Sequence, residues 1–497
     1  MNQSEKIQPH AWWTLVAVSL GTFMLLLDIT IVVVALPDIQ KALGAGFSDV
    51  QWTIDAYSLS LASLLLASGS VADLFGRRRT FTAGLLIFAA ASLLCGLSQS
   101  AGMLIAFRAV QGIGGAAMFA TSLALLAQTF QGKARGIAFG IWGAVIAVST
   151  MLGPLLGGAL TSGIGWRWIF FVNVPVGIAA IAITLRCVHE SKPPQARRID
   201  FAGFAVFTLG LLSLVYGLIR ANEHGWTNTV SVVAWAIAAV LLVAFPFVER
   251  RVSQPMFDLS LFRKPTFVGG SVAAFAMNGS LYAMLIYLVL YLQEVLGYSA
   301  FQTGLRLAVI TGATLVPSIA AGRLSAHVSV RWLIGPGLLL VGLGLLLMRG
   351  LDPASDWTHL IPGFIVAGFG SGLVNPPLAS TAVGVVEPRF AGMASGVNTT
   401  FRQVGIATSV AALGSILATH TAGATGAAGR SAFVSGLDGI LLIAAIIALV
   451  GGLVAISLIR RKDFVVQAPP PQRPGAEGGA PDATTGSGLD QRKVLSP

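Results

Sequence analysis

The sequence predicts an all-α polytopic membrane protein with fourteen spanning helices, arranged as two six-helix bundles in parallel repeat with two further helices inserted between them. Three observations carry that expectation. The 497 residues are 55% hydrophobic and 10% charged, with a mean hydropathy of +0.80, which is too apolar for a soluble globular chain. The apolar residues gather into runs long enough to cross a hydrocarbon layer as helices, about 17–25 residues. Of the 31 Lys and Arg, 23 fall in alternate loops and the two tails.

The first run, 12–36, is a full span that carries Asp28, so 1–40 does not read as a cleavable leader. Runs 53–71 and 81–97 flank a short loop with Arg77, Arg78 and Arg79, and 103–130, 137–160 and 168–185 complete the first six. Runs 201–219 and 230–248 form the inserted pair. The last six are 267–292, 305–321, 332–348, 360–386, 392–418 and 433–459. Each is read as a helix because a helix satisfies its own backbone hydrogen bonds inside lipid. The expected divisions are an N-terminal tail at 1–11, a first bundle at 12–190, the inserted helices at 201–248, a second bundle at 265–460, and a disordered Pro/Gly/Ala-rich tail at 463–497.

The net charge of +11 reports orientation. Only Lys41, Arg167, Arg220, Arg349 and Arg430 lie in the odd loops, so the positive-inside rule places the even loops and both termini in the cytoplasm, with no nucleic acid implied. An even number of spans is needed for that arrangement, and fourteen satisfies it. Cys95 and Cys187 lie on different helices, so no disulfide is expected, and the six histidines show no metal-ligand spacing. The Gly132-Lys133 pair is followed by Ala134, so there is no Walker A loop. Gly112-Ile-Gly114-Gly115 sits inside an apolar helix with no strand before it, which makes it a packing feature. No cofactor and no catalytic residue is expected.

A faint repeat supports the two halves. Gly112-Ile-Gly114 matches Gly368-Phe-Gly370, and Gly136 to Gly140 matches Gly392 to Gly396, both at an offset of 256 residues. Gly69 to Asp73 aligns with Gly322 to Ala326 at 253. The copies differ in that Asp73 becomes Ala326, Arg108 becomes Phe364 and Pro154 becomes Val410, so their chemistry is concentrated in the first half.

Asp28, Asp55 and Arg108 fall at similar depth in the outer half of the membrane. Inserting each costs roughly 2.5–3.5 kcal/mol, so they are expected to face a cavity or one another. A carboxylate balanced between desolvation and a nearby cation can exchange a proton for a cationic substrate; the alternative is a static Arg–Asp pair that fixes helix packing. In the second half Arg306 and Arg402 also lie within spans, with Asn278, Asn375, Asn398 and Gln403, and Asn398 and Arg402 are placed at the inner mouth. Trp52, Tyr57, Phe119, Trp142, Phe275 and Tyr282 are candidates for an aromatic wall, with core packing the alternative.

The stretch 143–158 is the expected joint. Gly143, Ala147, Gly153, Gly157 and Gly158 remove side chains at helical spacing, which lets another backbone approach, and Pro154 is expected to bend the helix near 152–153.

With these motifs in hand, residues 11–460 resemble the fourteen-helix drug:proton antiporter family of the major facilitator superfamily. Gly69-Ser-Val-Ala-Asp73-Leu-Phe-Gly76-Arg77-Arg78-Arg79 is similar to the loop motif of the superfamily, Arg108-Ala-Val-Gln111-Gly112 to its fourth-helix motif, and 143–158 to its antiporter motif. Trp166 to Gly177 and Leu27 to Pro37 match the fourteen-helix branch. The resemblance implies that Gly69, Asp73, Gly76 and Arg77 gate the movement of the halves and that Arg108 serves proton transfer. Val33 stands where the motif usually has Asn, which is expected to remove a polar contact near Asp28, and Val71 replaces Leu.

The resulting expectation is a monomeric exporter in a bacterial plasma membrane. It moves an amphipathic, cationic or neutral organic compound outward in exchange for protons, with lipid as its other partner. A dedicated exporter of one endogenous metabolite is the alternative; a membrane-embedded enzyme or sensor is more remote.

Overall fold

The computed structural model describes residues 9–191, 200–252, 259–325, 327–352, 355–387, 390–421 and 426–464. Most of the expected N-terminal tail, the tail beyond 464, Lys192, Arg197, Arg198, Ala326 and Arg389 lie outside the described residues, as do the side chains of Lys133, Ala147 and Pro154.

Long helices follow the apolar runs in order. They are α1 (Pro9–Leu43), α2 (Phe47–Phe75), α3 (Arg77–Gly96), α4 (Ala101–Thr129) and α5 (Gly132–Gly163); α6 (Trp168–Cys187); α7 (Phe201–His224) and α8 (Thr229–Arg251); α9 (Pro265–Val295); and α10 (Ala300–Leu324), α11 (Arg331–Leu347), α12 (Ile361–Gly384), α13 (Ala391–Thr421) and α14 (Gly426–Leu458). Among the described residues, eleven helices are long and apolar enough to cross a membrane, and the bent α2 makes a twelfth. Two of the expected spans pass only as shorter apolar stretches, Ala134–Ile146 within α5 and Arg331–Leu347.

Polar residues set several helix starts. Ser100 Oγ accepts from the Met103 amide at 3.3 Å, the Asp200 carboxylate accepts from the Gly203 amide at 2.8 Å, and Ser299 with Gln302 forms a reciprocal capping box. Asp463 Oδ2 accepts from Thr266 at the start of α9, from its hydroxyl at 2.7 Å and its amide at 3.3 Å. These bonds hold Asp463, the first residue of the expected tail, against the start of α9.

The main bend lies in α2, where Trp52–Leu65 and Ala67–Phe75 meet at 53°, beside the Ser68-Gly69-Ser70 run that favours such a break. The expected bend near 152–153 rests on Pro154; α5 is helical throughout Gly132–Gly163. In α9, π-helical turns at Asn278–Tyr282 and Tyr291–Val295 interrupt the regular winding.

The packing is made twice. In the first half α1 packs on α5 and α6, α3 on α6, and α4 on α2 and α3. In the second half α9 packs on α13 and α14, α11 on α14, and α12 on α10 and α11, the same relations eight helices on. The repeated glycines explain the match. A Cβ on Gly112 would stand 2.5 Å from the Tyr57 carbonyl and one on Gly114 2.6 Å from the Phe88 amide, while a Cβ on Gly370 would stand 2.5 Å from the Gly337 carbonyl. One apolar cluster draws only on helices α9–α14 and their ends, and another mainly on α1–α6. Helices α7 and α8 pack on each other, and α7 also touches α2 and α13.

Candidate functional site

Asp28 of α1 and Arg108 of α4 are both fully buried, at 0% exposure, and the guanidinium Nη1 donates to Asp28 Oδ2. The other carboxylate oxygen, Oδ1, accepts from Gln111 Nε2 at 3.0 Å and from Asn173 Nδ2 at 2.9 Å. Gln111 lies three residues after Arg108, on the same helix face, and its carbonyl accepts from Arg108 Nη1 at 2.8 Å. Asn173 of α6 is steadied by Ser92 Oγ at 3.0 Å, whose hydroxyl donates to the Phe170 carbonyl at 2.9 Å. Arg108 Nε donates to the Thr53 carbonyl at 3.0 Å, and the Tyr57 ring lies 4.2 Å from the guanidinium carbon. Gly112 and Gly115 let α4 approach α2 closely enough for this stacking, because a Cβ at 115 would lie 3.3 Å from Tyr57 Oη.

Asn173 is part of a motif but gave no sign in the sequence that it would touch Asp28. Asn173→Ala is expected to cost about 1–3 kcal/mol, because it strips one donor from a buried carboxylate. Asn173→Asp should cost more, since it sets a second acid against the first. Thermal unfolding of the protein in lipid nanodiscs checks that order, and a wild-type midpoint in both variants would contradict it.

Arg108 thus meets α2 through the Thr53 carbonyl and the Tyr57 ring; Asp55 lies between them in the chain, two residues from each. The Val33 expectation fails. Val33 is 45% exposed and turned away from Asp28, whose two oxygens are both occupied.

A second constellation closes one end of the helices. Asp73 Oδ1 accepts from Arg77 Nη2 at 2.9 Å and Nε at 3.2 Å. The same carboxylate takes the first free amides of α13, Gly392 N at 3.1 Å on Oδ1 and Met393 N at 2.8 Å on Oδ2, where the helix dipole favours an anion. Glu190 does likewise for α3, accepting from the Arg78 and Arg79 amides, both at 3.1 Å. Gly76, at φ +111°, makes the turn between these anchors, and a Cβ there would meet the Glu190 carboxylate at 2.5 Å. Beside the Asp73 latch, Gly69 touches the Gly392 backbone and lies opposite Gly396, with 3.5 Å from its Cβ position to Gly396 Cα. Across the molecule Gly322 meets Gly136, and a Cβ on Gly322 would be 3.1 Å from Gly140 Cα. The α2–α13 and α5–α10 contacts are thus one contact made twice, related by the repeat offsets.

The sequence profile of the Major Facilitator Superfamily matches residues 18–410. The chain belongs to that superfamily. The transporter is 38% identical over 406 residues to multidrug resistance protein Stp of Mycobacterium tuberculosis, covering 82% of this chain and 75% of that protein. It is 36% identical to puromycin resistance protein pur8 of Streptomyces alboniger, covering 83% of each. To the tetracenomycin C resistance and export protein of Streptomyces glaucescens it is 33% identical, covering 83% of this chain and 77% of the relative. The crystal structure of the human organic anion transporter MFSD10 (TETRAN) superposes with a TM-score of 0.63 at 17% identity, covering 89% of this chain and all of that one, a likeness of fold.

Within the transporter, the expected joint helix α5 packs where most of its glycines lie. Gly153 abuts Thr30 and Gly157 abuts Ile31 of α1, where a Cβ on Gly157 would stand 2.9 Å from the Ile31 carbonyl. A Cβ on Gly143 would meet Ser318 Oγ of α10 at 3.0 Å and Pro376 of α12 at 3.3 Å. Gly158 has nothing within 4 Å of its Cβ position, so it supports no close approach; it follows Gly157 by one residue and faces elsewhere.

The six aromatics form no single wall. Phe119 pairs with Trp142 at 6.2 Å and Trp52 with Tyr216 at 6.0 Å. Trp142 Nε1 donates to Thr22 Oγ1 at 3.0 Å. Phe275 lines an apolar cavity of about 440 Å³ between α7, α8, α9 and α13. Tyr282 accepts from Asn375 Nδ2 at 3.3 Å. Arg306 lies in the second turn of α10, stacked 3.4 Å from the Tyr298 ring centroid, near a helix end where the sequence put it within a span. Arg402 is buried with Asn398 and Asn375: Nε donates to Asn398 Oδ1 at 3.1 Å and Nη1 to Asn375 Oδ1 at 3.2 Å.

Proposed function

We propose that the chain is a proton-coupled exporter of amphipathic organic compounds, working by alternating access in a bacterial plasma membrane. In this reading the long helices make fourteen spans, two six-helix bundles and the α7–α8 pair, with both termini in the cytoplasm and the protein acting as a monomer. The doubled packing supports the two bundles, and the cationic loops support the orientation. The names of the relatives, which concern multidrug, puromycin and tetracenomycin C resistance, support a drug-like cargo.

The observation that carries the reading is the buried Asp28–Arg108 pair. A proton and Arg108 compete for one carboxylate, so protonation of Asp28 loosens the tie between α1 and α4. Helix α1 rests on α5 through Gly153 and Gly157, and α5 rests on α10, which links the event to the seam between the halves. In the proposed cycle Asp28 takes a proton while open to the outside, and cargo leaves. The protein then opens inward, loses the proton and rebinds cargo. Asp73, Arg77 and the glycine contacts set the balance between the two states. Asp55 serves as a secondary acceptor. With the Asp28 charge met by Arg108, neutral cargo fits this state better than cationic cargo.

Everted vesicles made acidic inside test the coupling. Addition of ethidium or a neutral drug is expected to drive protons out of vesicles holding the wild type, and not out of vesicles holding Asp28→Asn at equal abundance. Drug transport that persists after an ionophore abolishes the proton gradient would overturn the coupling. The dedicated-exporter reading is favoured by relatives named for single compounds, among them a probable actinorhodin transporter of Streptomyces coelicolor; a response confined to one compound of a broad panel would select it.

A further inference from the structure

Arg402 differs from Arg108 in what surrounds it. Arg108 has Asp28 against it. Arg402 is 4% exposed and, among the described residues, has no carboxylate partner. Its two bonds go to neutral amides, Asn398 and Asn375, and its Nη2 is buried with no hydrogen-bond partner. A guanidinium carries five N–H donors and keeps its proton in proteins. A buried cation left without a counter-charge is costly.

A second group points the same way. Ser395, Asn398 and Arg402 follow i, i+3, i+7 spacing on α13 and so share one face. Ser395 is fully buried and its Oγ likewise lacks a partner. The stripe spans roughly 10 Å of helix. Ser395 adjoins the Gly69 contact at Gly396, while Arg402 lies six residues further, roughly 9 Å along α13 and inside the closed end. It also borders the seam between the halves. Asn375, which holds Arg402, precedes Pro376, the α12 residue that Gly143 of α5 approaches.

From this cluster we infer that Arg402, with Asn398 and Ser395, forms a subsite for an anionic group, a carboxylate or phenolate, on the exported compound. The fork of Arg402 recognises the two oxygens of a carboxylate through Nη1 and Nη2, and the Ser395 hydroxyl supplies a further donor along the same face. The inference rests on the exporter reading and narrows it: cargo bearing an acid group is held by the second half while the first half handles the proton.

The test uses purified full-length protein and two radiolabelled probes of the same ring, 1-naphthoate and its uncharged analogue 1-naphthamide. Binding is measured by equilibrium dialysis for the wild type, Arg402→Gln and Arg402→Lys. Wild type is expected to bind naphthoate at least about tenfold more tightly than naphthamide, the scale of charge-assisted hydrogen bonds. Arg402→Gln should erase that preference, and Arg402→Lys should keep part of it, since Lys retains the charge without the fork. No saturable naphthoate binding, equal binding of the two probes, or a preference that survives in Arg402→Gln would overturn the subsite. Should Arg402→Gln fail to fold, an undiminished preference in Arg402→Lys overturns it. Binding is read without transport, so a failed proton-coupling experiment in vesicles and a failed charge preference here are separate results.

Discussion

Asp28→Asn is expected to destabilise the protein by about 3–5 kcal/mol, the scale for removing one partner of a buried ion pair. Arg108→Gln should cost less. The asymmetry follows from the chemistry of the survivor: a lone Asp28 can neutralise itself by taking a proton, whereas a lone Arg108 cannot give one up. The double variant Asp28→Asn/Arg108→Gln removes both charges and should recover much of the loss, because neutral amides of similar shape can still meet Gln111 and Asn173. A double-mutant cycle on thermal unfolding in nanodiscs measures this, and additive single effects would show that the two residues do not act as a pair. Proton-driven export should vanish in all three variants, including the restabilised one, which separates the coupling role from the structural one.

Gly136→Val is expected to shift the protein away from the conformation closed at the Asp73 end. Position 136 lies against the Gly322 backbone, a neighbour that cannot rotate out of the way. Overpacking of this kind costs about 1–3 kcal/mol, enough to change the ratio of two conformations by roughly 5- to 150-fold. Gly392→Val should act alike, since Gly69 and Gly392 repeat the Gly322–Gly136 contact on the other side. A spin-label pair at the exposed Gln131 and Arg323 reads the separation of α5 and α10 at this end. The distance distribution should move outward in Gly136→Val and stay put in Gly158→Val, whose Cβ position is open. An unchanged distribution in Gly136→Val would remove the glycine contacts from the account of gating.

The extent of each helix was largely legible from composition alone, because every residue adds a fixed rise and lipid admits little else than apolar side chains on a self-bonded backbone. Relative height was legible for the same reason: Asp28 and Arg108 read as neighbours in height, and they touch. Gly112 and Gly114 read as packing positions, and they carry the close contacts of α4 with α2 and α3.

Rotation about the helix axis was not legible. The 3.6-residue period relates positions within one helix, but packing against other helices decides which way that pattern faces. Thus Gly158 sat beside Gly157 and met nothing within 4 Å of its Cβ position. Asn173 reached Asp28 from 145 residues away, Glu190 capped α3 from beyond the end of α6, and α2 carried the 53° bend. That Arg402 would lack, among the described residues, the counter-charge given to Arg108 was likewise a matter of tertiary structure. One sequence dimension encodes length and depth along a membrane helix; azimuth and partner exist only once the helices have packed.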